Sequence, residues 1–126
     1  MFKRIDHVEI TTGKLEESIA FYRDVLGFKV RERIKLDMAP VYEIVYMTLG
    51  NTTLELIGAK DPPVASLQLW QIGYRMMAIE VEDMDKALAY LKTKGVEPSK
   101  GPVTTGKSKR AEIKDINGVS MELRQW

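Results

Sequence analysis

Apolar and polar positions along this chain switch between two periods, and the switching recurs. From His7 to Ile10, and again from Met76 to Val81, a short run rich in β-branched residues alternates inward and outward positions as a half-buried strand does. Each run leads into a stripe at helical spacing: Leu15, Ile19, Tyr22 and Leu26 in the first, Met84, Leu88 and Leu91 in the second. Gly27 and Gly95 are placed to end these helices, and Glu16 and Glu17 suit the positive N-terminal end of the first. "HVEITTGKLEESIAFY" lies over "MMAIEVEDMDKALAYL" at an offset of 69 residues, and "TTLELI" over "VSMELR" at an offset of 67. Each copy predicts the order βαβββ, so the chain reads as a duplicated supersecondary unit.

Strands follow the first helix at Phe28 to Leu36, Val41 to Gly50 and Thr52 to Ile57, with Gly50-Asn51 as a hairpin signal. In the second copy Arg110 to Lys114 and Val119 to Arg124 flank the turn "DING". Residues 96–109 carry the weakest pattern and predict one short strand and a mobile loop. The predicted organisation is a single domain of 126 residues, with modules at 1–58 and 74–126 and a linker at 59–73. Pro62-Pro63 prevents a central strand from continuing into that linker. Leu67, Leu69 and Trp70 predict that it packs against something.

Alternation also assigns faces. Val8, Ile10, Leu54, Leu56, Met77, Ile79, Val81, Met121 and Leu123 are expected under the helices. His7, Glu9, Thr53, Glu55, Ile57, Met76, Ala78, Glu80, Ser120, Glu122 and Arg124 are expected on the opposite, open face. Repeat symmetry superposes His7 on Met76 and Glu55 on Glu122. If the modules face each other about a pseudo-twofold, these four positions converge. A carboxylate in mid-strand is costly unless paired or bound to a cation, so an imidazole and two carboxylates at such places predict a divalent-cation site.

Composition narrows the chemistry. The chain has no Cys, which excludes disulfides and thiolate metal sites, and it has one His. A net charge of +1 with interspersed signs argues against nucleic acid as a partner, and no apolar run is long enough to span a bilayer. Met1-Phe2-Lys3-Arg4 leads directly into the first strand without an apolar targeting segment, giving a cytoplasmic expectation. Lys107, Lys109 and Arg110 form the densest basic run, either a solvated loop or an anchor for an anionic substrate tail.

"DHVEI", "LEESIAFYRDVLGFKV", "LELI", "AIEVEDMDKALAYLKTKGV" and "RAEIKDINGVSMELRQ" together resemble the vicinal oxygen chelate superfamily of glyoxalase, bleomycin-resistance and ring-cleaving dioxygenase proteins, across nearly the whole chain. The resemblance implies an α+β fold of two paired βαβββ modules forming an open, half-barrel-like mixed sheet. It implies metal ligands at His7, Glu55 and Glu122, with Glu122 and Glu55 as catalytic carboxylates. The fourth ligand position, a His in metal-dependent members, falls on Met76, whose soft thioether suits a pocket wall better than a hard or borderline cation.

The implied cofactor is therefore a divalent Zn, Ni, Co, Mn or Fe ion on three protein ligands, or none. Two functions follow. One is a glyoxalase I-like lyase or an epimerase on an acyl-CoA, removing a proton next to a carbonyl. The other is a bleomycin-resistance-like binding protein, with Met76, Tyr42, Tyr46 and Trp70 lining an apolar groove. A ring-cleaving dioxygenase, needing two His, is disfavoured. A small-molecule ligand and a second copy in a homodimer are the expected partners.

Overall fold

The computed structural model describes residues 1–64 and 70–126. It divides into two compact units, Met1–Ala65 and Ser66–Trp126. The first contains β1 (Val8–Thr12), α1 (Leu15–Ala20) running directly into one wider π turn (Phe21–Val25), β2 (Lys29–Met38), β3 (Val41–Leu49) and β4 (Thr52–Ala59). The second contains β5 (Met77–Glu80), α2 (Met84–Thr93), β6 (Lys100–Thr105), β7 (Ser108–Lys114) and β8 (Ser120–Gln125). Each unit is one open, four-stranded mixed sheet, in the order β1-β4-β3-β2 and β5-β8-β7-β6. The outer pairs β1/β4 and β5/β8 are parallel and the other pairs antiparallel, so both units realise the predicted βαβββ order.

One face of each sheet is sealed by its helix. In the first unit Leu15, Ile19, Phe21 and Tyr22 meet Ile10, Val45, Met47, Leu54 and Leu56, all buried; in the second Met84 and Leu91 cover Ala111, Ile113, Met121 and Leu123. Burying each of these aliphatic side chains contributes roughly 1.5–3 kcal/mol. The first helix starts where Lys14 N–H donates to Thr12 Oγ1 (2.9 Å) and Ser18 Oγ donates to Lys14 O (2.8 Å). The second starts where Asp83 accepts from Lys86 N–H (3.0 Å), a side-chain N-cap.

The two helices end alike with one difference. Gly27 (φ 81°) and Gly95 (φ 76°) both take the left-handed conformation that closes a helix. Val96 N–H reaches back to Leu91 O, five residues, whereas Phe28 N–H reaches back to Tyr22 O, six. The first helix thus holds one extra residue, absorbed in the π turn closed by Leu26 N–H on Phe21 O.

Several local expectations are corrected. Within residues 96–109 the expected short strand is present as β6, every residue of it exposed, whereas in place of the expected mobile loop a tight turn at Gly106-Lys107 joins β6 to β7 as a hairpin. Trp70 does not pack into a core; it is 83% exposed, and the guanidinium of Arg75 lies 5.5 Å from its ring centroid. Leu67 and Leu69 lie outside the described residues. Val8, Met77, Ile79 and Val81 are half-buried rather than buried, β1 and β5 being edge strands with one neighbour each; Leu26 and Leu88 are half-buried as well.

Candidate metal centre

The open face of the first unit gathers its polar residues around the imidazole. His7 stands one residue before β1, so alternation turns it to the same side as Glu9. The parallel register sets Glu9 beside Glu55 on β4, and the antiparallel register sets Tyr46 of β3 on the other side of Glu55. His7 Nε2 lies 3.1 Å from Glu55 Oε2 and 3.2 Å from Glu9 Oε1, while Nδ1 lies 2.9 Å from Asp6 Oδ2. One ligand atom from each of His7, Glu9 and Glu55 falls within 4.8 Å of the others. Glu55 is buried, with 9% of its side chain exposed, against 57% for Glu9.

Electrostatics follow from these contacts. The hydrogen bond to Asp6 raises the His7 pKa above its ordinary value; the bond to Glu9 and the charge of Glu55 add to this, and partial burial opposes it. The same Asp6–His7 bond holds the Asp6 carboxyl below the usual range. The Tyr46 phenol is pushed up, first by burial and then by the charge of Glu55 and its hydrogen bond to Tyr46. The edge of the Tyr46 ring meets His7 with centroids 6.1 Å apart, and Arg31 lies 5.1 Å from its centroid.

This set fits a divalent cation. One imidazole and two carboxylates are hard or borderline donors. Two ligand atoms at right angles and about 2.1 Å from a shared ion stand about 3 Å apart, the spacing found from Nε2 to both carboxylates. Asp6 on Nδ1 is the outer partner that fixes a ligating imidazole with Nε2 forward.

The open face of the second unit carries different groups. Glu122, the counterpart of Glu55, has 17% of its side chain exposed and is held by Arg124, whose Nε and Nη2 both lie 2.7 Å from Glu122 Oε1. Its cross-strand neighbours are Ala78 on β5 and Glu112 on β7. Glu112 lies 3.7 Å from Arg75 and 3.9 Å from Lys100. Met76, half-buried, precedes β5 as His7 precedes β1.

Of the residues expected at the site, the structure brings His7 and Glu55 together within the first unit and adds Glu9. Glu9 shares a face with His7 by simple alternation; its register against Glu55 was the missing signal. Glu122 and Met76 belong to the second unit. The basic run divides: Lys107 is at the β6–β7 turn, Lys109 pairs with Asp85 of α2 on the helix side (3.1 Å), and Arg110 is exposed on the open face. Tyr42 is not on the open face. The β3 bulge at Val41–Glu43 turns it onto Gly58 beside Leu15, where a Cβ on residue 58 would approach the Tyr42 ring and a Leu15 methyl to 2.9 Å. There Tyr42, Met38, Pro40 and Lys60 line a hollow of about 550 Å³.

Comparison with known proteins agrees with this layout. Residues 4–123 match the family model described as Glyoxalase/Bleomycin resistance protein/Dioxygenase superfamily. The chain is 35% identical over 130 residues to the mitochondrial methylmalonyl-CoA epimerase of Homo sapiens, covering 97% of this chain and 73% of that protein. It is 28% identical to the lactoylglutathione lyase of Neisseria meningitidis, covering 97% of this chain and 90% of that protein. The crystal structure of a glyoxalase family protein from Enterococcus faecalis superposes with a TM-score of 0.86 at 26% identity, over 98% of both chains. With the fold, the duplicated unit and this match across nearly its whole length, the chain belongs to the glyoxalase/bleomycin resistance protein/dioxygenase superfamily.

Proposed function

We propose that this protein is a metal-dependent isomerase or lyase that moves a proton on carbon next to a carbonyl, with an acyl-CoA thioester as the favoured substrate class and epimerisation as the favoured outcome. The carrying observation is His7 Nε2 set at 3.1–3.2 Å from two carboxylates, Glu9 and Glu55, with Asp6 behind the ring. The similarity to methylmalonyl-CoA epimerase supports the acyl-CoA class; that to lactoylglutathione lyase supports the same proton chemistry on a hemithioacetal.

In this reading His7 and Glu55, with Glu9 beside them and Glu122 from the second unit, would hold a divalent cation of the Zn, Ni, Co, Mn or Fe group. When bound, the cation supplies positive charge for the carbonyl oxygen as negative charge builds there. The chain's residues do the rest. Asp6 keeps the His7 ring oriented, and Tyr46 hydrogen-bonds Glu55. Glu122 accepts the proton from carbon. Glu55, its counterpart, returns one to the same carbon from the other side or, for a hemithioacetal, to the adjacent carbon. Such proton transfers by a placed side chain are worth about 10²–10⁴ in rate. Met76 serves as an apolar wall of the substrate site, Arg110 on the open face, with Lys107 at the neighbouring turn, attracts an anionic tail, and the protein works as a homodimer.

The test is metal analysis of purified protein together with proton NMR of methylmalonyl-CoA in D₂O. Near-stoichiometric metal, and deuterium entering the carbon between the two carbonyls at a rate that Glu122→Gln lowers about 100-fold or more, supports the proposal. Absence of both, with tight retention of an unchanged small molecule, replaces it with a binding protein. Exchange on a hemithioacetal but not on the thioester moves the substrate class to the lyase type.

A further inference from the structure

The open face of the second unit contains an arrangement that neither proton transfer nor a cation site requires. Arg110 of β7 and Arg124 of β8 are direct cross-strand partners. Ala111, Ile113, Met121 and Leu123 fill the helix side of these strands, so both arginines project from the open side. Like charges directly opposite on an antiparallel pair destabilise it. The fold does not demand them: the matching rung of the first unit is Ile44–Ile57.

Neutralisation is incomplete. Arg124 is three-quarters buried and spends Nε and Nη2 on Glu122 Oε1. Glu112, the next acid along β7, is met by Arg75 and Lys100. Glu80, beside Arg124 on β5, is exposed, and Arg110 has no ion-pair partner among the described residues. Trp126 covers Arg124, its ring centroid 4.9 Å from the guanidinium carbon, and leaves most of the indole exposed. The rung therefore presents an unneutralised guanidinium, a second one in a fixed orientation, and an aromatic wall.

We infer that Arg110 and Arg124 form an oxyanion-binding subsite, with Trp126 as its wall, that recognises an anionic group on the substrate. Planar guanidinium forks match carboxylate and phosphate oxygens in pairs, and an anion held between the two arginines removes their mutual repulsion. A carboxylate on the acyl portion and a phosphate on its carrier share this chemistry. The inference deepens the proposed function and rests on it only for the substrate's identity; anion binding itself stands on the second unit alone.

The experiment uses the full chain carrying Trp70→Phe, so that Trp126 is the sole indole, and titrates malonate and inorganic phosphate while following fluorescence. A saturable change that Arg110→Gln weakens about ten-fold or more, the loss expected for a charge-assisted hydrogen bond, and that Arg110→Lys partly restores, supports the subsite. Tighter malonate than phosphate assigns the acyl carboxylate, and the reverse assigns the carrier phosphate. No saturable change, or one equally weakened by Lys92→Gln on α2, overturns it. On a thioester that turns over, Arg110→Gln is expected to raise KM about ten-fold while kcat changes little. An unchanged KM overturns the subsite while leaving the proposed function standing. Absence of turnover with intact, Arg110-dependent malonate binding does the opposite.

Discussion

The two units share a plan on their helix sides and part company on their open faces. Below the helices the correspondence extends to ion pairs. Glu16, second residue of α1, reaches the sheet through Arg33, which also binds buried Glu43 on β3 at 2.6 Å. Asp85, second residue of α2, reaches Lys109 of β7, the residue that matches Glu43 in the repeat. An acid on the strand needs a cation between it and the helix acid; a lysine there does not. On the open faces His7, Glu9, Glu55 and Tyr46 answer to Met76, Ala78, Glu122 and Glu112, and Ile44–Ile57 to Arg110–Arg124. Packing constrains one side of each sheet, and the other side is open to divergence: one copy gathers carboxylates around an imidazole, the other sets guanidinium groups against its carboxylates.

This contrast can be broken at several points. The largest effects belong to the shared side. Leu56→Ala and Leu123→Ala, at matching fully buried positions, are expected to cost about 2–5 kcal/mol each in denaturant unfolding. A cost confined to one unit would show that the cores are not equivalent. On the divergent side, His7→Ala is expected to weaken divalent-metal binding, read by calorimetry, by more than about 100-fold, beyond the roughly 10- to 100-fold that outer partners carry. Met76→Ala should change it by only a few-fold. Equal losses would undo the assignment of His7, and not its counterpart Met76, as a metal donor.

Asp6→Asn is smaller. It leaves all proposed ligands in place and is expected to lower metal affinity about ten-fold by releasing Nδ1. Unchanged affinity would mean that Asp6 does not hold the ring. The smallest effect separates the two helix-side ion pairs by pH. Arg33 holds the Glu43 carboxyl below its ordinary range, so the stability this contributes is present above the ordinary carboxylate pKa and is lost as pH falls through the depressed one. Thermal melts of Glu43→Gln should therefore fall below wild type near neutral pH and approach it in acid. Lys109→Met, whose partner Asp85 is exposed, should show little of this convergence.

The βαβββ succession of elements, the helix placement and most of the helix-covered positions were legible because periods of two and of 3.6 are written directly in apolar side chains. His7 and Glu55 were legible as polar intruders in that pattern, and alternation gave them a common side. β6 was legible only as a short strand without bounds: Lys100 to Thr105 buries no residue, so it has no apolar period to read, and its limits are set by pairing with β7. The roles of Glu9 and Arg124 were hidden for another reason. Glu9 depends on the β1/β4 register, and Arg124 on which neighbour its guanidinium meets, and neither is a property of one strand alone. Trp70 misled because size and hydrophobicity predict burial, whereas this ring is covered on one side by a guanidinium and is otherwise in solvent.

The widened turn at Phe21–Val25 shows how the fold absorbs a change in helix length. A single added codon in an ordinary helix rotates everything beyond it by about 100° and would swing the following strand out of phase. Here the surplus backbone is looped out as a bulge, Phe21 and Tyr22 both stay buried, and Gly27 still closes the helix as Gly95 does. The wider turn thus accommodates the added residue without loss of burial or of the closing glycine, and α2 can serve as the template for a shortened α1 in which one residue of that turn is deleted.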